Sequence, residues 1–116
     1  DDTIKNIYIR PRIANSSVTI ILIGQETGGR WWCDWEIYYS LLKTTGNDRN
    51  GLLGIYIPYK EHWVPSRLQK NLHMGKIIDM PRDYRTLENA IEEVYLKRYL
   101  QPDLSDLLRQ RNSTRT

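Results

Sequence analysis

Cysteine is nearly absent from this 116-residue chain, with Cys33 the single example. One thiol excludes an internal disulfide, and a disulfide-free domain of this size points to a reducing compartment, the cytoplasm. Histidine is almost as scarce: His62 and His73 stand apart, so no Cys/His grouping has metal-ligand spacing and no metal is expected. No apolar run approaches the roughly 20 residues that cross a bilayer, and no basic-plus-apolar leader opens the chain, so neither a membrane partner nor secretion is expected. Charge of one sign is also missing. With 17 Lys and Arg against 14 Asp and Glu, the net +3 is too small and too dispersed to argue for nucleic acid. Arg109, Arg111 and Arg115 gather near the end and read as a solvated, frayed terminus.

What is present is an ordinary globular mixture, 40% hydrophobic and 27% charged, of a length that suits one domain. The chain opens Asp1-Asp2-Thr3 without a Met and enters an apolar pattern almost at once, so natural residues upstream are expected. Ile4, Ile7, Tyr8 and Ile13 fit a helix in part, and Pro11 interrupts it; this reads as a helix end or an irregular lead-in. Val18 to Ile23 is a β-branched run apolar on both faces, the mark of a central parallel strand, and Leu52 to Ile57 repeats that signal before Pro58. Between them lies the helical stretch Trp31 to Lys43, which makes a βαβ unit. Pro65 suits the first turn of a short helix through Leu72, Lys76 to Met80 reads as a further strand, and Leu87, Ile91, Val94, Tyr95 and Leu96 mark an amphipathic helix. That last helix should cover one sheet face, capped by Thr86 and ended by Pro102. The expected division is an α/β domain over residues 1–101, followed by a short helix and basic tail over residues 102–116.

In open parallel sheets, functional groups gather beyond the carboxyl ends of the strands. Two such edges are visible, Gly24 to Arg30 and Pro58 to Trp63. The first lacks both the dinucleotide G-x-G-x-x-G fingerprint and the Gly-Lys-Ser/Thr of a Walker A loop. Its Gly28 and Gly29 either admit an anion close to the backbone or open a tight strand-to-helix turn. On the helix that follows, Trp32, Glu36, Tyr39 and Lys43 share one face, Trp31, Trp35, Tyr38 and Leu42 another, and Cys33, Ile37 and Leu41 a third. A helix this apolar all round is expected to be mostly covered. A covered carboxylate needs a partner, a raised pKa or a ligand, so Glu36 is either one half of an ion pair with Lys43 or Arg30 or a functional group. Trp32 and Trp35 serve either core packing or stacking on a ring.

The stretch Ser17 to Thr27, continued by Arg30-Trp31-Trp32-Cys33-Asp34-Trp35-Glu36-Ile37, resembles the TIR-like family of bacterial Thoeris antiphage systems. The shared pattern is an apolar strand ending Leu-Ile-Gly, a Thr three residues on, then Trp-Cys or Trp-Val, and Glu-Ile. The spacing Trp32-Cys33-x-x-Glu36 is similar to that of TIR domains more widely. The resemblance implies a three-layer, flavodoxin-like/TIR-like parallel sheet flanked by helices, with the family's amino-terminal elements missing from this sequence. It also implies NAD as the substrate, cleaved by an NAD glycohydrolase or ADP-ribosyl cyclase in antiviral signalling. Glu36 is then the catalytic carboxylate, and Gly24, Thr27, Gly28 and Trp32 line the nucleotide site. Further implications are a homo-oligomer and an effector protein activated through a nucleotide product. Two other readings stay open: a non-catalytic TIR-like interaction module and a nucleoside deoxyribosyltransferase-like enzyme.

Overall fold

In the computed structural model, residues 8, 9, 12, 13, 16–42 and 49–108 are described. Strand β3 (Ser16–Ile23) organises the sheet: its β-branched residues favour extended backbone, and it has neighbours on both sides. β4 (Gly51–Tyr56) runs parallel to it with Val18 opposite Gly51 and Ile23 opposite Tyr56. β5 (Gly75–Asp79) runs parallel to β4, from Leu52 opposite Gly75 to Tyr56 opposite Asp79. Two short strands, β1 (Tyr8–Ile9) and β2 (Arg12–Ile13), pair antiparallel with β3. The helix end expected over Ile4 to Ile13 is therefore corrected where the chain is described. Pairing with β3 satisfies backbone groups that a Pro-interrupted helix could not.

Helices cover both faces. Helix α3 (Tyr84–Leu96) lays Ala90, Ile91 and Val94 on Val18, Ile20, Leu53 and Ile55. On the opposite face, α1 (Trp31–Leu41) and the short α2 (Ser66–Gln69) place Ile37, Leu41 and Leu68 on Ile21, Ile23, Leu52 and Met74. The strands alternate between these two cores, as the period of two requires. The result is a three-layer α/β domain with a three-stranded parallel centre.

Several boundaries differ from the expectations. The cap of α3 is Asp83, not Thr86: its carboxylate accepts the Thr86 N–H at 2.7 Å from extended backbone, leaving Thr86 inside the first turn. Helix α1 stops at Leu41, with Leu42 as its extended cap; Lys43 lies outside the described residues. Helix α2 ends at Gln69, and the chain turns through Asn71 to Met74 instead of continuing to Leu72. No helix forms over residues 102–108, the described part of the segment expected to hold a short helix. That segment is instead fastened to α2. Asn71 donates to the Asp103 carbonyl and accepts its N–H at 3.1 and 2.7 Å, and Lys70 pairs with Asp106 at 2.5 Å. Arg109, Arg111 and Arg115 lie outside the described residues.

Candidate functional site

The two carboxyl-end loops meet. After β3, Glu26 accepts the Gly29 N–H at 3.0 Å and a 3-10 turn forms over Thr27–Gly29. The buried Thr27 hydroxyl holds this turn, accepting the Gly24 N–H at 2.8 Å and donating to the Leu22 carbonyl at 3.2 Å. After β4, the chain is sewn to the same place: Ile57 N–H donates to the Ile23 carbonyl and Trp63 N–H to the Gly24 carbonyl, both at 2.9 Å. Within that loop, His62 Nε2 lies 2.7 Å from the Ile57 carbonyl and its ring lies on Tyr56.

Trp63 lies over the two glycines. A β-carbon on Gly28 would fall 2.0 Å from its ring, and one on Gly29 2.7 Å. Neither glycine has left-handed backbone, so close approach is the physical reason for both. The neighbour that the sequence left open between an anion and a turn is, in this structure, an indole. Trp63 itself stays 42% exposed.

Arg30 caps α1 through extended backbone and pairs with Glu26 at 2.6 Å across the mouth of the loop. Successive residues of a helix are about 100° apart, so Asp34 and Glu36 lie on opposite flanks of α1, with Cys33, Ile37 and Leu41 facing the sheet between them. Trp32 and Glu36 are one turn apart, both half-buried. Burial raises the Glu36 pKa above the ordinary carboxylate value. Trp35 meets Trp31 and Tyr39 edge-to-face at centroid distances of 5.7 and 6.1 Å. These aromatics are half-buried or exposed, with Tyr39 51% exposed. The expectation that α1 is mostly covered holds: five of its eleven residues are buried, five are half-buried, and Tyr39 alone is exposed.

The Glu36 backbone has its own anchor. Ser40 Oγ donates to the Glu36 carbonyl at 2.8 Å, so the Thr19 hydroxyl, 2.8 Å from Ser40 Oγ, spends its proton on Ser40. Thr19 in turn accepts from Asn50 Nδ2 at 3.0 Å. Donation therefore runs one way, from Asn50 through Thr19 and Ser40 to Glu36. This ties the last turns of α1 to the start of β3.

Asp34 is held by Arg67 of α2, whose Nε and Nη2 lie 2.9 and 3.4 Å from its two oxygens. Sequence reasoning missed this pair and the Trp63 contact. In the sequence Trp63 is only the end of the second loop, and nothing in a linear chain links positions 34 and 67. Burial pushes the Cys33 thiol up to about 12, leaving it a neutral core residue and no nucleophile at neutral pH. Among the described residues, no group of three His, Cys, Asp or Glu could hold a metal ion, and no helix is long and apolar enough to cross a membrane.

A three-layer α/β sheet whose first full βα unit carries Leu22-Ile23-Gly24, Thr27 and Trp32-Cys33-x-x-Glu36 defines a TIR-like domain. Residues 1–62, more than half of the chain, match the family model of the Thoeris protein ThsB, TIR-like domain. The chain belongs to that family, a TIR-like component of Thoeris antiviral defence. The match includes the glycine loop, Glu36 and β4. No curated protein and no solved structure matches the chain.

Proposed function

We propose that this domain cleaves NAD at the bond between nicotinamide and ribose, with Glu36 as the catalytic carboxylate. The observation that carries the reading is a partly desolvated glutamate at the family's motif position, one turn from Trp32 and on the flank of α1 away from the Asp34–Arg67 pair. Burial that disfavours the carboxylate in the resting protein favours it once positive charge grows nearby. As the glycosidic bond breaks, its electron pair neutralises the departing pyridinium ring and the positive charge passes to the ribose carbon, where Glu36 can stabilise it. Water attacking that carbon and releasing a proton gives ADP-ribose; an internal nucleophile of the nucleotide gives a cyclic product, which suits activation of an effector protein. Asp34 is committed to Arg67, so a scheme with two carboxylates flanking the bond finds no support in the helix that bears Glu36. Trp32 is the ring placed to contact the nucleotide beside Glu36, while Gly24, Thr27 and Gly28 shape the loop below. The domain acts in the cytoplasm as a homo-oligomer.

The half-exposed aromatics of α1 favour a second reading, an interaction module that assembles without chemistry. Chromatography of nucleotide products from NAD and from deoxynucleosides, on the assembled protein with any infection-derived trigger supplied, separates the readings. Nicotinamide release supports NAD cleavage. An ordered homotypic complex that survives Glu36→Ala with no product supports the module, and base exchange on deoxynucleosides supports a deoxyribosyltransferase.

A further inference from the structure

Among the described residues Arg67 is the largest fully buried side chain, at 1% exposure, and it faces two separate parts of the fold. Toward α1 it grips Asp34 through Nε and Nη2. Its guanidinium carbon lies 5.2 Å from the centre of the Tyr38 ring, one turn further along the same helix. Toward the carboxyl-terminal segment, Nη2 donates to the carbonyls of Asp106 and Leu107 at 3.1 and 3.2 Å. The remaining nitrogen, Nη1, finds no acceptor among the described residues. Such an arrangement is a poor way to gain stability, since a well-packed apolar pair of similar volume commonly does as well or better than a buried ion pair. What it supplies is direction. Two parallel N–H contacts on one carboxylate fix an angle, which an apolar contact does not.

That angle matters because of where Asp34 stands. It and Glu36 flank the buried stripe of α1 on opposite sides, about 200° apart around the helix. Any roll of α1 that moves Asp34 away from α2 therefore moves Glu36 relative to the sheet. The Ser40–Thr19 contact holds α1 one turn beyond Glu36, and the Asp34–Arg67 pair holds the turn that leads into it.

We propose that Arg67 is the positioning residue for Glu36: by gripping Asp34 and the carbonyls of Asp106 and Leu107 together, it sets the roll of α1 and couples it to the 101–108 strap. The strap is built for this coupling. Asn71 fixes its start at Asp103, Lys70 and Ser66 hold Asp106, and His73 Nε2 lies 2.6 Å from the Gln101 carbonyl. Displacing the strap takes two acceptors from a buried cation and leaves Asp34 as its remaining anionic contact. The consequence for catalysis rests on the NAD-cleaving reading; the mechanical coupling does not.

The test is carbon NMR of the glutamate side-chain carboxylates in the full chain at fixed pH, with Glu36→Gln used to assign the Glu36 signal. Arg67→Lys keeps the charge and loses the fork, and Asp106→Ala loosens the strap at a half-buried side chain. The expected result is that both move the Glu36 signal in the same direction while the methyl signals of Ile37 and Leu41 stay folded. In the cleavage assay, Arg67→Lys then lowers kcat by about tenfold or more, with KM changed less than about twofold. If Arg67→Lys fails to fold, Asp34→Asn with Asp106→Ala decides the same question. An unmoved Glu36 signal in folded Arg67→Lys, or in the substitute pair, overturns the proposal and leaves Arg67 a structural clamp. A protein that never cleaves NAD but whose Glu36 signal moves retains the coupling and loses the enzymatic reading. One that cleaves NAD with Arg67→Lys unchanged in signal and kcat loses the coupling alone.

Discussion

The indole of Trp63 lies so close over Gly28 that a β-carbon there would sit 2.0 Å from its ring. That contact joins the Trp63 N–H to Gly24 carbonyl bond in fusing the loop after β3 to the loop after β4. Gly28→Ala should expel the indole and cost about 1–3 kcal/mol through overpacking. Urea unfolding of a double-mutant cycle checks this: Gly28→Ala should cost far less in a Trp63→Ala background. Equal costs in both backgrounds would mean that Trp63 is not what requires the glycine.

Tyr59 is the one described non-glycine residue with positive φ, at 63°, and it is fully exposed after Pro58. A tyrosine there strains the backbone in a turn position that favours glycine. Tyr59→Gly should stabilise the fold by about 0.5–1 kcal/mol, the relief of strain exceeding the extra freedom of the unfolded chain. Thermal unfolding reads it as a higher Tm, and Tyr59→Ala, which keeps the β-carbon, should not reproduce the gain.

Burial raises the Glu36 pKa in the fold, and that fixes the sign of a stability effect. The folded state binds the proton more tightly than the unfolded state, so Glu36 destabilises the protein progressively as pH rises from the unfolded pKa through the folded one. Below both values the penalty is gone. Glu36→Gln should therefore raise Tm at neutral pH, and the gain should shrink as pH falls through the carboxylate range. Paired Tm profiles of the two proteins against pH measure it. A variant less stable than the parent at neutral pH would contradict the burial argument.

Much of this was legible in the sequence. The β-branched run at Val18–Ile23, the apolar run at Leu52–Ile57 and the apolar periodicity at Leu87–Leu96 placed two parallel strands and the helix that covers one sheet face, because patterns of two and 3.6 residues are local. What escaped was set by partners distant in the chain. Tyr8, Ile9, Arg12 and Ile13 carry no clear strand period, yet β3 supplies an edge for them. Asp103 to Leu108 looked helical until Asn71 and Arg67 offered its backbone other partners. The same holds at the site. Leu22-Ile23-Gly24 and Trp32-Cys33-x-x-Glu36 are contiguous and readable, whereas Trp63 on Gly28 and Arg67 on Asp34 are products of folding.

The central claim is that Glu36 performs chemistry, and nicotinamide release tests it most directly. The assembled protein is incubated with NAD across a pH series, beside Glu36→Gln. The account predicts release by the parent that falls on acidification at a higher pH than an ordinary glutamate would give, since the carboxylate must be ionised to stabilise the ribosyl cation. It also predicts loss of at least about 100-fold in Glu36→Gln at every pH. Full activity in Glu36→Gln, or NAD left intact by the assembled and triggered parent, would contradict it.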